Sequence, residues 1–234
     1  MLNETGRPYR VPLVNRILRV LMKPVFQGLF HILADIHLFG RGNVPFGRPY
    51  LVAINHVSTF DPPFLLAFWP EMIEAMGASD IWSRPGQAQL VRMYHAIQVH
   101  RGEYDREVFS QVINVIRAGK PLLLAPEGGR SHVIAMRRAQ PGISYLVEKT
   151  QVPVLPVGIT GTTDDFFTRA SRGERPTLEM HIGKPLILPQ VSGKGLDRRL
   201  IRQQNADLVM AHIAGLLPEE YRGYYAAEAI SPEQ

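Results

Sequence analysis

The sequence contains no cysteine, which removes disulfides, thiolate zinc sites and cysteine nucleophiles in one step and is compatible with a reducing compartment. Other signatures are missing too. No G-x-S-x-G is present, so the strand-turn-helix elbow of a serine hydrolase is excluded. No H-E-x-x-H is present, so the commonest zinc-hydrolase ligand set is absent, and no metal site is expected. The first buried apolar run ends in Asn55-His56-Val57-Ser58 where a dinucleotide enzyme would carry G-x-G-x-x-G. Nor is there a long unbroken hydrophobic run. A bilayer span needs roughly 20 nearly uninterrupted apolar residues. The most apolar stretch, residues 11–39, is broken by Arg16, Arg19, Lys23, Gln27, His31 and Asp35, and Pro24 is expected to kink or split it. Met1 to Tyr9 is polar and reads as no secretory leader.

What is present is a globular composition, 45% hydrophobic and 20% charged over 234 residues, enough for one domain with a full core. The formal net charge of +5 favours an anionic partner. Its distribution points to a membrane surface: Arg7, Arg10, Arg16, Arg19, Lys23 and Arg41 stand against only Glu4 and Asp35 up to residue 41, whereas Glu219, Glu220, Glu228 and Glu233 lie near the other end. No nucleic acid is expected. Apolar residues in 11–39 recur at helical spacing, which predicts two short amphipathic helices lying in an anionic membrane interface. The alternative is a pair of helices that cap a soluble core.

From residue 50 onward, short apolar runs alternate with helical stretches. Runs at 50–54, 73–78, 96–100, 121–125, 154–160 and 177–182 read as strands, with crossover helices at 106–118 and 142–150. That alternation predicts an α/β fold with a mostly parallel sheet flanked by helices. The expected division is an amphipathic membrane-interface element at 1–39, an α/β domain at 40–217 and a C-terminal tail at 218–234.

Two constellations follow strands directly. In Asn55-His56-Val57-Ser58-Thr59-Phe60-Asp61-Pro62, residues five apart point about 140° from each other on a helix, so His56 and Asp61 can pair only across a turn. The turn formers here allow it, with Asp61 as N-cap of a helix over 62–69. A carboxylate on one imidazole nitrogen fixes the tautomer while the other nitrogen takes a proton from a hydroxyl. The second constellation is Pro126-Glu127-Gly128-Gly129-Arg130-Ser131. Its glycines let backbone approach a ligand, Arg130 offers a fork for phosphate, and Glu127 can accept from a substrate hydroxyl or hold Arg130. Arg101 ends another strand and suits the same phosphate. The segment at 152–158 carries Pro153 and Pro156, which suggests an edge or interrupted ladder where an apolar ligand lies, with Val154 and Pro156 in its pocket.

In this order the four blocks resemble the lysophosphatidic acid acyltransferase family, glycerolipid acyltransferases with H-x4-D in the first block and E-G-T-R-S in the third. The resemblance runs from about residue 40 to 183. It implies a glycerol-3-phosphate acyltransferase-like fold with an N-terminal amphipathic helical membrane anchor. It also implies His56 and Asp61 as the catalytic pair, and Arg101, Glu127, Gly128, Gly129, Arg130 and Ser131 around the acceptor. The donor would be an acyl-CoA or acyl-carrier-protein thioester, with no further cofactor, and the acceptor lysophosphatidate, at the cytoplasmic face of the cell membrane, peripheral or monotopic. Gly129 stands where the family usually has threonine and His95 where the second block often opens with glycine, which leaves another lysophospholipid or a glycolipid open as acceptor. A noncatalytic membrane-binding module is the reading from a different class, against which the intact His56 and Asp61 argue.

Overall fold

The structure is a computed structural model that describes residues 9–100 and 105–231. Among these residues, seven strands form one sheet in the order β1-β7-β6-β2-β5-β3-β4: β1 (Asp35–Phe39), β2 (Leu51–Ile54), β3 (Glu74–Ala78), β4 (Ile97–Val99), β5 (Leu122–Leu124), β6 (Val154–Thr160) and β7 (Thr177–Ile182). Every neighbouring pair is parallel except β6 with β7. The central strand β2, Leu-Val-Ala-Ile, is buried at every position, as parallel strands covered on both faces must be.

Alternation along β2 divides the core in two. Leu51 and Ala53 face α4 (Arg106–Arg117), α5 (Gly142–Thr150) and α7 (Gly195–Gly215). Val52 and Ile54 face α1 (Leu13–Leu33) and α2 (Asp61–Phe68), where Phe30, Phe64 and Phe68 pack together. On the first face α4 is started by Asp105, whose carboxylate accepts from the backbone N–H groups of Glu107 and Val108, and it buries Val108, Val112, Val115 and Ile116.

The N-terminal segment differs from the sequence expectation. One helix, α1, runs through Pro24, and residues 35–39 are not helical but form the edge strand β1, in register with β7 from Asp35 opposite Thr177 to Phe39 opposite His181. Ile36 and Leu38 fit both a helical and a two-residue period, and pairing with β7 decides between them. The amphipathicity of α1 is also turned inside out. Its polar stripe faces the protein: Asn15 donates to the carbonyls of Arg92 and Met93, Lys23 to that of Trp69 and Gln27 to that of Ala67. These carbonyls sit at the C-terminal ends of α2 and α3 (Gln87–Tyr94), where helices lack internal partners. Tethers on both sides of Pro24 keep the helix continuous. The apolar residues Leu13, Val14, Ile17, Val20, Leu21, Val25, Leu29 and Ile32 are exposed on the outer side. Arg19 and Lys23, counted in the sequence toward a basic contact surface, are therefore occupied internally. Among the described residues no helix is long and apolar enough to cross a membrane.

The C-terminal segment is not a loose tail over its first turns. Tyr221 of α8 (Glu219–Arg222) and Tyr225 are buried. The Tyr225 hydroxyl donates to Asp207 and accepts from the Ala139 N–H, while the Tyr221 hydroxyl accepts from the Gly161 N–H.

Candidate active site

The carboxyl end of β2 continues into Asn55, whose side chain donates to the Ile159 carbonyl at 2.9 Å and accepts from the Ile159 N–H at 2.8 Å. This side-chain rung pins the strand end to β6 and aims the following turn. Within that turn Asp61 Oδ2 accepts from His56 Nδ1 at 2.9 Å and from the N–H groups of Val57 and Ser58 at 2.8 Å each. Asp61 is fully buried. Its backbone occupies the first helical position, with Phe60 rather than Asp61 at the N-cap, and the carboxylate reaches back over the turn instead of capping forward. His56 and Asp61 are thus brought together across a turn, as the turn formers between them allow. His56 Nε2 has no partner among the described residues, and the ring lines a groove.

Thr162, on the loop after β6, donates its hydroxyl to Asp61 Oδ1. It went unseen in the sequence, although β6 is the strand beside β2 and its carboxyl end is where a parallel sheet builds sites. The same loop carries Asp164, which binds Arg130 Nη1 at 2.5 Å. Arg130 and His132 line the groove with His56.

Glu127 neither holds Arg130 nor faces a ligand. It is buried, with Oε1 accepting from the His56 N–H and Oε2 from the Arg137 N–H, both at 2.8 Å. Burial pushes its carboxyl up to about 7, against the two N–H groups that lower it. The Ser131 N–H closes the lattice on the His56 carbonyl at 2.7 Å, and Ser131 is itself buried. Gly128, at φ +71°, makes the tight turn that a side chain would strain, since a Cβ there would meet Gln140 at 3.0 Å. Gly129 supplies a carbonyl to the Arg137 guanidinium at 2.5 Å. The third block therefore works chiefly as a brace for His56, and only Arg130 is turned to the groove. Arg101 lies outside the described residues.

The groove, about 260 Å³, runs between α1, α2, β3 and α3, and its walls are apolar, with Phe26, Leu66, Met72, Met76, Leu90 and Val91 among them. At the amino end of the sheet Arg19 grips Glu74 through both guanidinium nitrogens, at 2.9 and 2.6 Å, and lies 4.3 Å from the Tyr94 ring centre. Register sets Leu51, Leu122 and Glu74 level. His56 is five residues beyond Leu51, roughly 16 Å away at about 3.3 Å per residue. The groove thus spans the sheet from a charged floor to the His56 rim.

Val154 and Pro156 are not part of it. Both are buried in β6, which is an inner strand between β2 and β7, and Val154 packs on the α7 side of the sheet, away from the groove. Pro156 has no N–H to give the ladder, but its carbonyl accepts from the Gly183 N–H at 2.9 Å. Among the described residues no cluster of three or more His, Cys, Asp or Glu side chains is arranged to hold a metal ion.

Comparison with known proteins agrees with this geometry. The family model named acyltransferase matches residues 35–160, more than half of the chain. Mouse 1-acyl-sn-glycerol-3-phosphate acyltransferase alpha is 26% identical over 190 residues, 77% of this chain, which spans 62% of the mouse protein's length. The crystal structure of the 1-acyl-sn-glycerophosphate (LPA) acyltransferase PlsC from Thermotoga maritima superposes with a TM-score of 0.59 at 21% identity, over 83% of this chain and 79% of that one.

Proposed function

This chain belongs to the acyltransferase family, and from that premise we propose that it moves a fatty acyl group from acyl-CoA or acyl-carrier-protein to the free hydroxyl of lysophosphatidate, giving phosphatidate. The relatives' names support the acceptor. The observation that carries the chemistry is His56, held at Nδ1 by a buried carboxylate and open at Nε2 where an apolar groove meets Arg130. The acceptor hydroxyl gives its proton to Nε2 as its oxygen attacks the thioester carbonyl. The C–S bond then breaks, the imidazolium returns the proton to the departing sulfur, and an ester and a free thiol remain. Asp61 stabilises the imidazolium between the two steps. The groove takes the acyl chain and Arg130 the acceptor phosphate, exchanging Asp164 for it. The thioester is a co-substrate and no other cofactor takes part.

The exposed outer face of α1 supports a peripheral or monotopic contact with a membrane, which we place at the cytoplasmic face of the cell membrane. Insertion would rest more on apolar area than on charge, because Arg19 and Lys23 are turned inward and Arg10 and Arg16 remain outside. The test is thiol release from acyl-CoA and from acyl-carrier-protein with a panel of lysolipids, products being identified by mass. Release that is independent of any acceptor, or an acceptor without phosphate preferred over lysophosphatidate, would overturn the assignment.

A further inference from the structure

Directly after Arg130 the chain makes a short excursion, residues 132–135, that presents Val133 and Ile134 to solvent, 65% and 46% exposed. It is no floppy tip. Before it, the Ser131 N–H is fixed to the His56 carbonyl, and Val133 N–H reaches back to Ser131 Oγ at 3.4 Å. After it, the N–H groups of Met136 and Arg137 are fixed to the Tyr221 carbonyl and to Glu127. A backbone tied at both ends cannot fold its two aliphatic side chains back onto the core. What surrounds them is specific in chemistry. Tyr224, 54% exposed, is held to the loop by its N–H on the Met136 carbonyl, and Arg138 lies over its ring. Arg137 and Arg138 keep about half of their side chains in water, although the Arg137 guanidinium also donates to the Gly129 carbonyl and Arg138 lies 3.6 Å from Asp207. An aliphatic tip, an amphipathic tyrosine beside it and arginines at its shoulders form the composition of an element that enters an anionic lipid interface.

We infer that residues 132–135, with Tyr224, Arg137 and Arg138, form a second membrane-contact element at the mouth of the active site, opposite the wall made by α1. It rests on the proposed reading that the acceptor is a membrane lipid. His132 and Arg130 line the groove on this side, and Met22, Lys23 and Phe26 of α1 line it on the other. A tip inserted beside Arg130 lets the acceptor hydroxyl reach His56 while the lipid's own chain stays in the bilayer.

The lack of cysteine makes a single label unambiguous. Ile134→Cys, Val25→Cys on the outer face of α1 and Lys120→Cys at the opposite rim of the sheet, each in the full chain, carry an environment-sensitive fluorophore. They are mixed with phosphatidylcholine vesicles with and without phosphatidylglycerol, some containing a nitroxide lipid. The expected result is a blue shift and quenching at positions 134 and 25, stronger with phosphatidylglycerol, and neither at 120. A response at 25 without one at 134 overturns this proposal and leaves the membrane reading standing. No response at either overturns both, and a response at 134 only to an acidic carrier protein assigns the tip to the donor instead. In a second measurement, Val133→Ser/Ile134→Ser should weaken vesicle partition roughly tenfold or more. It should slow turnover of vesicle-embedded acceptor and spare a short-chain acceptor that is monomeric in water. Equal loss on both acceptors overturns the proposal.

Discussion

Thr162 donates its hydroxyl to the one carboxylate oxygen of Asp61 that His56 does not use. Asp61 is fully buried, so that oxygen has no water to fall back on, and a hydrogen bond to a charged group is worth about 1.5 to 3 kcal/mol. Thr162 acts through Asp61 as a positioning residue. Thr162→Val should lower kcat about tenfold while the acceptor KM changes little, and Thr162→Ser, which keeps the hydroxyl, should restore most of the rate. For scale, His56→Ala should cost roughly 100-fold or more. Steady-state kinetics of the three variants decide the point, and a serine variant as impaired as the valine one would leave Thr162 a packing role only.

The raised carboxyl of Glu127 makes a pH prediction. Its folded value, about 7, lies above the ordinary 4.5, so between these values the folded chain binds more proton than the unfolded one. The stability it contributes is present below about pH 4.5 and is lost as pH rises through 7. At about 1.4 kcal/mol per unit the loss is roughly 3 kcal/mol at most. Glu127→Gln does not titrate. Denaturant unfolding of both proteins across this range should show wild type losing stability relative to the glutamine variant as pH rises, and a constant difference would refute it. Because the carboxamide keeps one acceptor oxygen and its NH2 only donates, either the His56 or the Arg137 N–H loses its partner, and the variant should also lose turnover at pH 8.

Arg130 is already engaged by Asp164, which competes with an acceptor phosphate for the same guanidinium. Arg130→Ala should raise the acceptor KM roughly tenfold to a hundredfold, with the donor KM little changed and lysine rescuing only partly. Asp164→Asn should act in the opposite direction and lower the acceptor KM. Loss of donor affinity in the Arg130 variant would move the arginine to the donor's side of the site.

The Arg19–Glu74 pair is buried at both partners. Removing one charge strands the other, so Glu74→Leu should cost about 3 to 5 kcal/mol. The double variant Arg19→Leu/Glu74→Leu should recover a large part of that. Recovery stays incomplete, because the Tyr9 hydroxyl and the Tyr94 carbonyl lose their partners. Denaturant midpoints for the four combinations measure the coupling, and additive single losses would show that the pair does not act as a unit.

What the sequence determined by itself is local. Residues 50–54, 121–125 and 154–160 show as buried strands because a parallel strand must be apolar on both faces. The pairing of His56 with Asp61 is open to a reader of the sequence because the turn formers between them allow it, whereas on a helix the two would point apart. The rest depends on partners far away in the chain. β1 is a strand because β7 offers it a ladder, over a segment whose apolar residues suit two periods. Thr162 meets Asp61 across 101 residues of sequence, through the adjacency of β6 and β2. Glu127 is a brace and not a ligand because burial and two backbone N–H groups claim both of its oxygens. The direction of α1 is the plainest case: its periodicity marks two faces, but which one turns inward was settled by the free carbonyls at the ends of α2 and α3, which only a polar stripe could satisfy.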